Sequence, residues 1–169
     1  GSFVKKCTSN NLTGMESLIG VPGTVGGAIK MNAGAWGMEI SNHIKKVKIM
    51  NKEGEIIELK KNDIEFGYRF SSIKNDLIIS SNFEFEYSNP EKIKKLKLSA
   101  SSSRKNTQPL KFRSAGSVFK NPENYSAGYL IDKVGLKGMR VGDAEISKKH
   151  ANFFLNLGNA SSKDISQLI

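Results

Sequence analysis

Four polar groupings in the sequence have residue types and spacing that suit chemistry. Arg69 follows Tyr68 between Gly67 and the pair Ser71-Ser72. An arginine in such a loop can grip a carboxylate through two parallel hydrogen bonds, or stabilise an enolate as charge develops on it. The ordinary alternative, a surface salt bridge, is the commoner role for any single arginine. Ser117 lies within AGSVFKNP, a hydroxyl between a glycine and an apolar run. No glycine sits two residues after it, so this is not a hydrolase elbow, and its plain alternative is a strand entering after a turn. Lys137 stands between Gly135 and Gly138, which suits a phosphate, or else a hairpin tip with an exposed lysine. His150 and Asn152 flank Ala151 just before an apolar run, where a period of two puts them on one side. They could read the polar edges of a base or sugar, although a histidine beside a lysine pair is more often merely exposed.

These groups need a scaffold, and the densest scaffolding signal is GVPGTVGGAIKMNAGAWG, Gly20 to Gly37, with six glycines, one proline and one asparagine in eighteen residues. Glycines permit positive φ and let peptide N–H groups approach a ligand without a Cβ in the way. The stretch has neither the Gly-x-Gly-x-x-Gly of dinucleotide folds nor the Gly-Lys-Ser/Thr end of a P-loop. A pair of turns at Pro22-Gly23 and Ala33-Gly34 is the modest reading. Small residues on both sides of Asn32 favour instead a backbone surface shaped for a flat or extended ligand.

Composition narrows the classes. With 169 residues, 38% hydrophobic and 25% charged, the chain suits one domain with a core or two small lobes. No apolar run approaches a membrane span and the first residues have no signal-peptide pattern. The single Cys7 cannot form an internal disulfide, so a reducing cytoplasm is expected. Two histidines and one cysteine argue against a zinc site. The net charge of +10 invites a nucleic-acid partner. Yet the lysines fall in scattered pairs such as Lys45-Lys46 and Lys94-Lys95, and the aromatics follow no base-stacking pattern. A small anionic substrate accounts for part of the excess as well.

Hydrophobic spacing supplies the elements. Residues 8–19 read as a short helix capped near Thr13, with Glu16 three residues on. Ile44, Val47 and Ile49, a turn at Lys52-Glu53-Gly54, and Ile56, Ile57 and Leu59 make a hairpin. Residues 62–72 read as irregular, and 77–85 as a strand whose start is buried on both faces. Pro90 opens a lysine-rich amphipathic helix with Ile93, Leu96 and Ala100 on its apolar side, and the polar residues 101–108 mark a lobe boundary. Beyond them the pattern predicts a helix over 126–134 with Gly135 near its C-cap, a loop over 136–142, a strand over 152–157, and a helix from Ser161 with Asp164 at N3 that buries Ile165, Leu168 and Ile169.

Six blocks in order, GVPGTVGGAIKMNAGAWG, DIEFGYRFSS, RKNTQP, SAGSVFKNP, AGYLIDKVGLKGMRVGDAEIS and HANFFLN, make the sequence similar to the MurB family, the UDP-N-acetylenolpyruvoylglucosamine reductases. The resemblance implies an α+β fold. Residues 3–100 would form the second lobe of a vanillyl-alcohol-oxidase-type FAD-binding domain, and residues 101–169 a truncated α/β substrate-binding domain. It implies non-covalent FAD, NADPH as reductant, a UDP-sugar substrate, no nucleic-acid or membrane partner, and a monomer. By position, Arg69 would polarise the substrate carboxylate and Ser117 would be the general acid. Pro22, Gly23, Thr24, Val25, Gly26, Gly27, Asn32 and Gly34 would line the flavin. Tyr68, Lys105, Asn121, Lys137 and His150 would face the UDP-sugar. The short interval from Arg69 to Ser117 is like the type II branch, and Trp36 replaces a tyrosine common at that point. A preceding lobe with a Gly-Ser-Asn-Leu flavin motif and a following glutamate that assists proton donation are expected outside these residues. Another FAD-dependent oxidoreductase of the same fold is the alternative enzyme, although that group often tethers flavin through His or Cys, which the cradle lacks. A basic nucleic-acid-binding module is the alternative from another class.

Overall fold

The structure, a computed structural model, describes residues 1–169. It divides into two compact units, Gly1–Ser102 and Ser103–Ile169. In the first, α1 (Ser2–Ser9) leads through β1 (Leu12–Thr13) and a 3-10 turn at Glu16–Leu18 into α2 (Val25–Lys30). A small hairpin, β2 (Gly34–Ala35) and β3 (Met38–Glu39), precedes β4 (Ile44–Met50) and β5 (Ile56–Lys60). A second small hairpin, β6 (Phe66–Gly67) and β7 (Phe70–Ser71), precedes β8 (Leu77–Phe83) and β9 (Glu86–Tyr87). Strands β5, β4 and β8 form an antiparallel sheet in that order. The core of the unit runs from Val4 and Cys7 through Met15 and Ile29 to Ile44 and Val47, all under 5% exposed.

The predicted hairpin forms as β4–β5, with Val47 opposite Leu59. Three expectations are corrected here. The helix expected over 8–19 is instead α1, a strand and a 3-10 turn, because Gly14 sits at φ 114° and no helix passes through that conformation. The Thr13–Glu16 pairing survives as a clasp: Thr13 Oγ1 donates to Glu16 Oε1 at 2.7 Å, and the Gly14 N–H to Oε2 at 2.7 Å. The stretch 62–72 is less irregular than its composition implies, since it holds β6 and β7. Finally, β8 is not buried on both faces. Leu77 and Ile79 are exposed, whereas Ile78 packs into the core on the side where α2 lies against the strand.

Helix α3 spans Pro90–Thr107, and the division between the units falls within it. Ile93 and Ala100 are buried as their spacing requires, but Leu96 is exposed, and the polar residues 101–107 continue the helix. In the second unit a four-stranded antiparallel sheet has the order β10 (Arg113–Ser117), β13 (Phe153–Asn156), β12 (Ala144–Ile146), β11 (Arg140–Val141). The loop expected over 136–142 therefore contains a strand. Helix α4 (Ala127–Lys133) is capped by Ser126, whose Oγ accepts from the Tyr129 N–H, and Gly135 follows its C-terminus at φ 75°. Helix α5 (Ser162–Leu168) carries the predicted Ser161–Asp164 capping box and buries Leu168 in a core with Ala144, Ile146 and Phe154. Ile169 is exposed, contrary to its apolar character. No helix is long and apolar enough to cross a membrane.

Candidate functional site

In the first unit the glycine-rich stretch folds as a turn, a short helix and a hairpin. Thr24 caps α2 by accepting the Gly27 N–H at 3.0 Å, which leaves the N–H groups of Val25 and Gly26 without an intrahelical acceptor. Pro22, Gly23 and Thr24 are exposed at the mouth of an apolar concavity whose walls include Phe3, Met15, Leu18 and Val21. The glycines differ in purpose. Gly23, at φ 118°, has open space where a Cβ would stand. At Gly26 a Cβ would meet Ile78 at 3.7 Å, an ordinary contact, so the packing of α2 on β8 does not require a glycine there. At Gly27 the nearest atom would be the capping Thr24 Oγ1 at 3.3 Å. Gly34 is sterically obligatory, because a Cβ there would lie 2.5 Å from the Met38 carbonyl oxygen.

Tyr68 and Arg69 occupy the tip between β6 and β7. Arg69 adopts φ 53°, its guanidinium lies 5.0 Å from the Tyr68 ring centroid, and its Nη2 donates to the Gly34 carbonyl at 2.9 Å. The arginine is thus bound to the glycine-rich stretch, a link that sequence separation concealed. Asn32 is fully enclosed at φ 42°. Its Nδ2 donates to Glu39 Oε2 at 2.6 Å and to the Gly67 carbonyl at 3.1 Å, while its Oδ1 accepts the Ser41 N–H at 3.3 Å. Its side chain holds the loops together. Glu39, Ser41 and Ser71, whose Oγ donates to the Lys30 carbonyl at 2.9 Å, were not legible as site residues. The one available signal was a buried-type position filled by asparagine between Met31 and Ala33.

In the second unit Ser117 ends β10, exposed, after Gly116 at φ 90° and a break in register between Ser114 and Ser117. The bulge turns the strand so that Ser117 pairs opposite Phe153. Asn152 is buried and clamps Phe119, two residues after Ser117, twice: Oδ1 accepts the Phe119 N–H at 2.9 Å, and Nδ2 donates to the Phe119 carbonyl at 2.8 Å. It therefore holds the strand and offers no edge to a base or sugar. Asn121 Oδ1 accepts the Ala127 N–H at 3.0 Å and fixes the approach to α4. His150 packs its ring 4.7 Å from that of Phe153 and close to Gly128, where a Cβ would come within 3.3 Å. Asn152 faces the same glycine, although residues 150–152 form a turn ahead of β13 and not the strand whose period of two is expected to align them. Burial first, and then the Lys137 charge, push the His150 pKa below its ordinary value, against a backbone hydrogen bond that raises it. Lys137 is ion-paired to Asp132 at 2.5 Å and only part-exposed, so it is not a free hairpin tip. The side chain of Lys149 donates to the Lys105 carbonyl at 2.7 Å, and Lys105 itself is exposed.

Comparison with known proteins accounts for both units. Residues 1–60 match the model of an FAD binding domain, and residues 108–169 match the C-terminal domain of UDP-N-acetylenolpyruvoylglucosamine reductase. The reductase of that name from Clostridium kluyveri is 49% identical over 162 residues, covering 95% of this chain and 53% of the relative. The chain is similar to the UDP-N-acetylenolpyruvoylglucosamine reductases over nearly all of its own length. Its relative from Lachnoclostridium phytofermentans is 44% identical over 99% of this chain and 55% of its own length. The crystal structure of the reductase (MurB) from Thermus caldophilus superposes with a TM-score of 0.92 at 39% identity, over 99% of this chain and 62% of that one. The α+β class and the order of an FAD-binding segment before the reductase C-terminal domain are as expected. The chain spans about half the length of the curated reductases it matches.

Proposed function

We propose that the protein is an FAD-dependent reductase that uses NADPH to reduce UDP-N-acetylglucosamine enolpyruvate to UDP-N-acetylmuramate for peptidoglycan precursor synthesis, as a monomer in a reducing cytoplasm. The observation that carries this reading is the bond from Arg69 to the Gly34 carbonyl, which ties the arginine to the flavin-binding stretch of a chain whose relatives are named as this reductase. The cradle suits non-covalent FAD. Gly23 leaves open space where a side chain would stand, the first N–H groups of α2 lack intrahelical partners, and the adjoining surface is lined by apolar residues. Pro22 to Gly27 and Gly34 would hold it, with its own chemistry being to accept a hydride and pass it on.

The residues of the chain do the rest. The Arg69 guanidinium binds the substrate carboxylate through a charge-assisted fork. As the new C–H bond forms at the terminal methylene carbon, the double-bond electron pair moves toward that carboxylate, and Arg69 stabilises the enolate. The Ser117 hydroxyl then gives its proton to the carbon bearing the carboxylate, and solvent returns a proton to the serine oxygen. Lys105, Lys137, Asn121, His150 and Tyr68 bind the UDP-sugar, its diphosphate competing with Asp132 for Lys137.

The test separates the half-reactions. NADPH-driven bleaching of the flavin needs no proton from Ser117, whereas reoxidation by substrate does. A positioned acid is typically worth about 10²–10⁴-fold. In the full-length protein, Ser117→Ala should leave bleaching near normal and slow reoxidation by that order in anaerobic stopped-flow absorbance, with Ser117→Cys intermediate. Slowed bleaching with normal reoxidation would reassign the serine to cofactor positioning.

A further inference from the structure

We infer that Asn32, seated on Glu39, is the positioning residue that sets the Arg69 hairpin. The inference rests on the reading of Arg69 as the residue that meets the substrate carboxylate. Three bonds join the stretch 30–34 to the hairpin 67–71, and they arise from alternate residues. The Lys30 carbonyl accepts from Ser71 Oγ, Asn32 Nδ2 donates to the Gly67 carbonyl, and the Gly34 carbonyl accepts from Arg69 Nη2. Of these, only the Asn32 bond is made by a side chain of the glycine-rich stretch, and that side chain is wholly enclosed.

The hairpin needs such a hold. Arg69 stands at φ 53°, a conformation that costs a residue with a Cβ free energy unless its surroundings over-determine it. Its two-residue strands, Phe66–Gly67 and Phe70–Ser71, are too short to impose the turn alone. Asn32 fixes the Gly67 carbonyl, two residues before Arg69, while Gly34 receives the guanidinium itself. Asn32 is in turn fixed from three sides. One amide hydrogen goes to Glu39 Oε2 and the other to Gly67, and its oxygen takes the Ser41 N–H. Its own φ of 42° is one that asparagine tolerates better than other residues with side chains. The carboxylate of Glu39 serves as the acceptor that orients the amide, so that its second hydrogen points at Gly67.

The decisive variants exchange the donor and acceptor. Asn32→Asp has the same shape, still accepts from Ser41, but cannot donate to Gly67 and faces the Glu39 carboxylate. The double variant Asn32→Asp/Glu39→Gln restores the contact between positions 32 and 39 with its polarity reversed, yet still leaves Gly67 without that donor. Hydrogen exchange by mass spectrometry on the 169-residue chain, with no flavin added, should show faster exchange over residues 66–72 in both variants. Exchange over β4 and β5 should be unchanged in the double variant, whose melting temperature should return toward wild type. In the flavin-loaded full-length protein, the limiting rate of reoxidation by substrate should fall roughly 10²-fold in both, as small misplacements of catalytic groups do. Wild-type exchange at 66–72, or full recovery of reoxidation in the double variant, would overturn the inference. A wild-type protein that reduces its flavin but never reoxidises it with the UDP-sugar would sink the proposed function instead, leaving the exchange result to judge Asn32.

Discussion

The two proposed catalytic side chains are held in opposite ways. Arg69 is gripped directly: its guanidinium is bound to Gly34, and its hairpin to Lys30 and Asn32. Ser117 is exposed at the end of a bulged strand, and its placement is delegated to the backbone, through Gly116 before it and the Asn152 clamp on Phe119 after it. The difference follows from the side chains. An arginine has several torsions, and its planar fork must be aimed before it can recognise a carboxylate. A serine has one side-chain torsion, so fixing its Cα suffices. The buried asparagines, Asn32 in one unit and Asn152 in the other, are the common device. Each uses the amide as donor and acceptor together: Asn32 to join backbone at Gly67 and Ser41, Asn152 to fix Phe119 just past the end of the β10–β13 ladder.

The largest break in that comparison should come from Asn152→Leu. It strips both partners from Phe119 at once, and an unsatisfied part-buried backbone donor and acceptor should cost about 3 kcal/mol together. Urea unfolding of the chain measures this. Ser117→Ala, which removes an exposed hydroxyl from the same strand, should stay within about 0.5 kcal/mol. An equal loss for the two variants would mean that the hydroxyl is structural.

Next in size is Gly34→Ala. The added Cβ collides with the Met38 carbonyl and with Glu39, so the β2–β3 hairpin must open at a cost on the order of 2 kcal/mol. By contrast, Gly26→Ala meets only ordinary contacts with Ile78. If thermal melts rank the two variants the other way, the tight approach at Gly34 is not what the hairpin depends on.

The smallest effect concerns His150. Its folded pKa lies below the usual value near 6.5. The unfolded chain therefore takes up the proton first, and stability should fall as pH drops below about 6.5 and through the depressed folded value. Imidazole resonances followed by NMR should titrate below a histidine reference peptide, and His150→Asn should flatten that part of the stability profile. Lys137→Met should raise the pKa slightly, since Lys137 is the lesser cause. An unshifted or raised His150 pKa would place the ring in water.

The elements that could be read in advance were those whose signal is local. The β4–β5 hairpin, the helix that Gly135 ends, and the cap at Ser161 follow from apolar spacing and from side chains that satisfy terminal N–H groups within four residues. The misread elements failed for equally physical reasons. Gly14 stops the helix that the Thr13–Glu16 pairing predicts, and Leu77 and Ile79 read as buried only until it is known that helix packs on one side of β8.

The candidate site divides along the same line. The sequence by itself determined its chemical inventory: an arginine in a glycine-flanked tip, a serine after a glycine, a lysine between glycines, and a stretch too rich in glycine for an ordinary helix. Six ordered blocks were enough to point to the family. Only tertiary structure decided that Asn32 holds loops together, that Gly34 serves a close approach and Gly23 open space, and that Lys137 already has Asp132 as a partner. A residue type states which bonds it can form. Which partners it meets depends on segments some 35 residues away, such as Gly67 for Asn32 and Arg69 for Gly34, and no local pattern encodes that proximity.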